Sequence, residues 1–175
     1  MAIDTSLKFI PINIAVLTIS DTRTSETDTS GALLKQRISS VGHNCVEKKI
    51  IPDDLELIKN TLLTLSEKKE IDCIITTGGT GLTGRDTTPE AVIAIANKTI
   101  EGFGELFRQV SFAKIGTSAI QSRALAALIN TTYVFCLPGS KGACKDGWDE
   151  ILKYQLDIRH RPCNFVEIMP RLSEK

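Results

Sequence analysis

The stretch Thr76-Thr77-Gly78-Gly79-Thr80-Gly81-Leu82-Thr83-Gly84-Arg85-Asp86-Thr87-Thr88-Pro89-Glu90-Ala91 gathers most of the chemistry this chain could perform into one loop. It follows the apolar run Cys73-Ile74-Ile75 and ends in Thr-Pro-Glu, which would start a helix. Glycines permit positive φ and leave backbone N–H groups uncovered, so such a turn at the carboxyl end of a strand can close around an oxyanion or phosphate. Arg85 and Asp86 add a permanent positive charge and a carboxylate at its rim. That pair suits an anionic substrate and a bound divalent cation.

Other readings of the loop are weaker. Gly79-x-Gly81-x-x-Gly84 formally satisfies the dinucleotide fingerprint, but that fingerprint opens its helix inside the motif, and here the helix begins near Pro89. A Walker A loop fails because Gly-Lys-Ser/Thr is missing. A plain connector has no need of Gly, Thr, Arg and Asp together. Outside the loop, Asp54 reads as a helix N-cap, while Asp53, beside Pro52 at a strand end, reads either as a cap or as a functional carboxylate. Ser20-Asp21 reads as a loop cap or as part of a site. Arg123 reads equally as a solvated and as an ion-paired side chain, and neither His43 nor His160 is assigned a catalytic role.

The elements that must position these residues alternate between strand and helix. Residues 13–20 form a nearly continuous apolar run, the mark of a parallel strand covered on both faces. A polar loop over 21–29 leads to a helix over 30–41, ended by Gly42. Residues 45–51 read as a strand closed by Pro52, and Asp53-Asp54 open a helix with the stripe Leu55, Ile58, Leu62 and Leu65. A third strand over 71–76 feeds the loop. Thr88 is expected as N-cap and Pro89 as the first residue of a helix over 88–96. A helix over 102–113 carries Phe103, Leu106, Phe107 and Val110; residues 122–129 fit either a helix or one arm of a hairpin. Residues 133–137 form a strand closed by the turn Pro138-Gly139-Ser140, and a helix over 144–156 carries Trp148. The pattern predicts a mostly parallel sheet with helices on both faces, whose ligands gather at the carboxyl ends of the strands. Ser20-Asp21, the Asp53 region, Gly78 to Asp86 and Pro138 to Ser140 all fall there.

At 175 residues the chain predicts a single domain spanning 1–175, with a leader over 1–11 and a tail over 157–175. The leader is expected to stay mobile or to reach onto a neighbouring subunit. The formal net charge is zero, so no global field favours nucleic acid or an anionic membrane, and local geometry must hold any anion. Five cysteines without a Cys-x-x-Cys pair argue against a disulfide framework or a thiolate metal site. Without a signal sequence or an apolar run of roughly 20 residues, the expected location is the cytoplasm.

Together, Thr-Ile-Ser-Asp (18–21), Thr-Thr-Gly-Gly-Thr-Gly-x-x-x-Arg-Asp-x-Thr-Pro-Glu-Ala (76–91), Ser-Arg-Ala (122–124) and Leu-Pro-Gly-Ser (137–140) resemble the MoaB/MogA family of molybdenum cofactor biosynthesis. Gly-Thr-Ser (116–118) and Arg-Pro-Cys-Asn-Phe (161–165) resemble its MoaB branch. The resemblance implies an α/β three-layer sandwich with a mostly parallel central sheet, the molybdopterin-binding fold. It implies a homo-oligomer, a trimer or a dimer of trimers, and partners among other molybdenum cofactor pathway proteins. It further implies molybdopterin as substrate, ATP as co-substrate and Mg²⁺ as cofactor, for a molybdopterin adenylyltransferase that moves AMP onto the terminal phosphate of molybdopterin. Asp53 and Asp86 match the family's acidic positions, so they are expected as catalytic residues and Mg²⁺ ligands. Ser20, Asp21, Gly78, Gly79, Thr80, Gly81, Ser122, Pro138, Gly139 and Ser140 are expected to bind substrate. Binding of molybdopterin or a purine nucleotide without AMP transfer remains the alternative.

Overall fold

A computed structural model describes residues 2–174 of the chain; Met1 and Lys175, the ends of the expected domain span, lie outside the described residues. The strands are β1 (Ala2–Ile3), β2 (Asn13–Ile19), β3 (Asn44–Ile51), β4 (Cys73–Thr77), β5 (Lys98–Thr99), β6 (Leu125–Ile129), β7 (Thr132–Leu137) and β8 (His160–Arg161). The helices are α1 (Thr29–Ser40), α2 (Leu55–Ser66), α3 (Thr88–Ile95), α4 (Glu101–Ile115), α5 (Lys141–Gly147), α6 (Lys153–Gln155) and α7 (Phe165–Ile168). A 3-10 segment over Gly116–Gln121 extends α4, and a π-helical turn over Trp148–Leu152 joins α5 to α6.

The main sheet has the order β3-β2-β4-β7-β6-β5. Its first four strands are parallel, and β6 runs antiparallel to both β7 and β5. The central strands β4 and β7 are buried along their whole length, which explains why they read as unbroken apolar runs. Alternation along them divides the core between two faces. Ile14, Val16, Ile75 and Phe135 pack with Leu34, Phe107 and Trp148 on one side. Leu17, Ile74 and Val134 pack with Ile58, Leu62 and Val92 on the other. The edge strand β3 instead alternates exposed and half-buried positions and carries Lys48 and Lys49, charges that discourage edge-to-edge pairing.

The segment that fitted helix or hairpin is a hairpin arm. Asn130 turns β6 into β7 with φ of 54°, a conformation Asn tolerates, and its amide donates to Asn97 Oδ1 at 2.6 Å. Two helix starts also depart from expectation. The third helix already includes Thr88, whose hydroxyl donates to the Gly78 carbonyl at 3.1 Å, and Thr87 stands at the N-cap position without a side-chain cap bond, its hydroxyl being turned to Asp53. The Trp148 helix begins at Lys141, where Ser140 accepts from the Ala143 amide. The leader does not stand free: β1 pairs with β8, so leader and tail clasp each other within one chain.

Candidate functional site

Register brings the chemical segments to one edge. Thr77 pairs with Leu137, Thr18 with Thr77 and Ile19 with Ile51, so the loops leaving β3, β2, β4 and β7 start side by side. Gly78 and Gly79 have φ of 105° and 62°, and a β-carbon on Gly78 would collide with the Ile19 carbonyl oxygen. Across the gap, a β-carbon on Gly139 would stand 3.3 Å from Gly78 Cα, so the two glycine turns lie backbone against backbone. The Gly78 amide donates to the Leu137 carbonyl at 3.1 Å and the Thr77 hydroxyl to the Pro138 carbonyl at 3.1 Å. From α1, the Ser30 hydroxyl donates to the Gly139 carbonyl at 2.8 Å.

These turns form one wall of a cavity of about 390 Å³. Gly78, Gly79, Thr80, Gly81, Asp86, Ser122, Pro138, Gly139 and Ser140 line it, so nine of the expected site residues are brought together. The opposite wall comes from α4 and the 3-10 segment, through Phe107, Ser111, Ile115, Ser118 and Gln121. None of these five was expected from sequence. Phe107 and Ser111 share one face at i,i+4 spacing, but nothing local distinguishes a helix face that lines a cavity from one that packs a core.

Three expected residues do not line the cavity. The Ser20 hydroxyl accepts from the amides of Thr22 at 3.3 Å and Arg23 at 3.2 Å, capping its own loop. Asp21 accepts the Arg85 fork, with Nη2 at 2.9 and 2.8 Å from its two oxygens, and also the Asp53 amide at 3.1 Å. Arg85 first, and then the Asp53 amide, hold the Asp21 carboxyl below its usual range. Asp53 is 7% exposed and sits beneath the loop; a β-carbon on Gly79 would come within 2.7 Å of its Oδ2. Its Oδ1 accepts from the Thr87 amide at 3.2 Å and the Thr87 hydroxyl at 3.0 Å. Burial pushes the Asp53 carboxyl up against those donors, and the charges of Asp86 and Asp21 push the same way.

Asp86 behaves oppositely. Its Oδ2 accepts from the Thr83 hydroxyl at 2.6 Å and the Thr83 amide at 3.0 Å. The hydroxyl chiefly, with the amides of Thr83 and Gly81 and the charge of Arg123, holds it below the ordinary carboxylate range despite some burial. It is therefore an anion at neutral pH, on the cavity wall. Arg123, left open between solvent and ion pair, is neither free nor simply paired. Its Nε donates to the Gly81 carbonyl and its Nη2 to the Asp86 carbonyl, both at 2.8 Å, while Nη1 meets Glu90.

The cavity wall thus combines two glycine turns, whose backbone can approach an anion closely, with a persistent carboxylate, and comparison with known proteins gives the family. Residues 15–158 match a family described as a probable molybdopterin binding domain. Molybdenum cofactor biosynthesis protein B of Escherichia coli K12 is 44% identical over 160 residues, which cover 91% of this chain and 94% of the relative. The chain belongs to the MoaB/MogA family, on its MoaB branch. The fold follows the family as closely as the sequence does. A crystal structure of a molybdenum cofactor biosynthesis protein B superposes with a TM-score of 0.85 at 39% identity, covering 95% of this chain and 98% of that one. The tungsten cofactor synthesizing protein MoaB of Pyrococcus furiosus superposes with a TM-score of 0.73 at 34% identity, over 82% and 91% of the two chains.

In this MoaB-family chain, no group of three or more His, Cys, Asp or Glu side chains forms a cation cage among the described residues. Magnesium does not require one, because one or two carboxylates with phosphate oxygens commonly hold it. The hard carboxylate oxygens of Asp86, on the cavity wall, and of Asp53, beneath the loop, have the donor chemistry of that role. The cysteines offer no rival centre. Burial pushes the Cys136 thiol up to about 12 and Cys144 to about 11, leaving both as neutral packing groups. Among the described residues no helix is long and apolar enough to cross a membrane.

Proposed function

We propose that this chain acts in the cytoplasm in molybdenum cofactor biosynthesis, binding molybdopterin and transferring AMP to it from ATP. A terminal phosphate oxygen of molybdopterin attacks the α-phosphorus of ATP; a phosphoanhydride bond forms, and the bond to the β-phosphate oxygen breaks, releasing pyrophosphate. The observation that carries this reading is the cavity whose wall combines the two glycine turns with the ionised Asp86. Gly78 to Gly81 and Pro138 to Ser140 would hold phosphate oxygens, and Ile115, over the buried Phe107, would give the flat pterin an apolar contact. Asp86 and Asp53 would hold Mg²⁺, which supplies neutralisation of the charge on the transferring phosphoryl group. The family description and the name of the Escherichia coli relative support the pathway.

The direct test is to incubate the chain with molybdopterin, ATP and Mg²⁺ and to assay adenylylated molybdopterin and pyrophosphate. Absence of product, under conditions where a competent relative forms it, overturns the transfer. Asp86→Asn is expected to lower turnover by about 10²-fold or more while molybdopterin affinity stays within about threefold, since it removes a charge and keeps the cradle. Equal loss of both would remove Asp86 from the chemistry.

One observation favours a second reading, in which the chain binds molybdopterin or a purine nucleotide without transfer. Asp53 lies under the loop with Oδ1 engaged by Thr87. Tight molybdopterin binding by calorimetry beside a null product assay selects that reading. The proposal also includes self-association as a trimer or dimer of trimers, because Phe112, Ile115 and Ile120 are 59%, 58% and 84% exposed on one segment. Light scattering showing a monomer at working concentration would refute it.

A further inference from the structure

We propose that Arg123 is the positioning residue of this site, setting Asp86 and Asp53 together through a single peptide group; the inference rests on the adenylyl-transfer reading above. Arg123 does not line the 390 Å³ cavity. It stands on the wall of a neighbouring cavity with Glu90, so it acts on a ligand in the first cavity only through the loop between them. Its guanidinium grips both ends of that loop, at the Gly81 and Asp86 carbonyls. Between those ends the chain is exposed, Leu82 to 70%, and the short link from Thr83 to the Asp86 carboxylate is its own internal brace.

The second grip matters most. The Asp86 carbonyl and the Thr87 amide belong to one planar peptide unit. Arg123 Nη2 donates to its oxygen at 2.8 Å, and its N–H donates to Asp53 Oδ1 at 3.2 Å. Arg123 and Asp53 therefore hold opposite edges of the same plate, and the Asp86 side chain leaves the backbone directly beside it. A rotation of that peptide would disturb the Asp86 backbone and withdraw the amide from Asp53 Oδ1 together, leaving Asp53 only the Thr87 hydroxyl. Only a forked cation can do this work, because Gly81, Asp86 and Glu90 take three different nitrogens, which an ammonium on a flexible stem cannot reach at once.

The test compares Arg123→Lys and Arg123→Ala with the parent chain by three readouts: amide hydrogen exchange over residues 81–87, molybdopterin affinity by calorimetry, and turnover with ATP and Mg²⁺. In Arg123→Lys, exchange over 81–87 is expected to rise while β4 and β7 stay protected. Turnover should fall by about 10²-fold with affinity within about threefold, since misplacing a reacting group costs rate before binding. Added guanidinium ion should restore part of the turnover of Arg123→Ala. Unchanged exchange over 81–87, or affinity and turnover lost in equal proportion, overturns the proposal. If Arg123→Ala does not fold, the Lys variant decides. If the parent chain binds molybdopterin but forms no product, the parent reading has failed by itself, and exchange over 81–87 still decides whether Arg123 holds the loop.

Discussion

The chain leaves β4 through a loop held by charged side chains, whereas it leaves β7 through a turn held by hydroxyls, a thiol and backbone alone. The first rim collects Asp21, Arg85, Asp86, Arg123 and Glu90, with Asp53 beneath. The second is anchored by Ser30 and Thr77 hydroxyls on the Gly139 and Pro138 carbonyls, with the Cys144 thiol 3.0 Å from Thr77 Oγ1. Thr77 and Cys144 are fully buried. A rim held by exposed charges responds to pH and salt, whereas one held by neutral, buried anchors responds little to either. The difference places the charged groups on one side of the cavity and a fixed backbone shape on the other.

The sharpest way to break this division is at its seam. Gly78→Ala puts a β-carbon into the Ile19 carbonyl at φ of 105°, so destabilisation on the order of 3 kcal/mol is expected in urea unfolding. Ser30→Ala strikes the neutral rim alone. It strands the Gly139 carbonyl and should cost about 1–2 kcal/mol, unchanged between pH 5 and 8 as such a rim requires. Asp53→Asn probes the floor of the charged rim and must show pH dependence. Because the native Asp53 carboxyl titrates above its unfolded value, its ionised form weakens the fold as pH rises through the native pKa. The Asn variant should thus match the parent in acid, below the unfolded value, and be more stable at neutral pH, as read by melting curves. Smallest of all, Arg85→Gln removes an exposed fork on Asp21. Its melting point should stay near that of the parent, and its only signature should be a flatter dependence of ligand affinity on salt.

How far the sequence anticipates these rims depends on how local their causes are. The apolar runs of β2, β4 and β7 and the Asp54 cap are set within a few residues, and each stands where its pattern places it. The glycine motif is equally local, so its position at the strand ends is legible. Arg123 is not, because its meaning comes from carbonyls 42 and 37 residues away. Residues 122–129, whose strand is Leu125–Ile129, fit two readings for a related reason. Ala-Leu-Ala-Ala-Leu has helix propensity, and pairing with β7 overrides it. The short strands β1, β5 and β8 carry no period at all and exist only through their partners.

The contact of Gly139 with Gly78 has one more consequence. With no side chain between them, the two turns meet as bare backbone: a side chain at Gly78 would drive into the Ile19 carbonyl, and one at Gly139 would press on Gly78 itself. This wall is a casting rather than an adjustable jaw. Freedom to change the cavity's outline therefore lies with the facing wall, where Ile115 ends α4 and Ser118 and Gln121 stand on the 3-10 segment that follows it, and each can be exchanged one at a time. Diversification of such a scaffold would be written there, in side chains, while the casting stayed as it is.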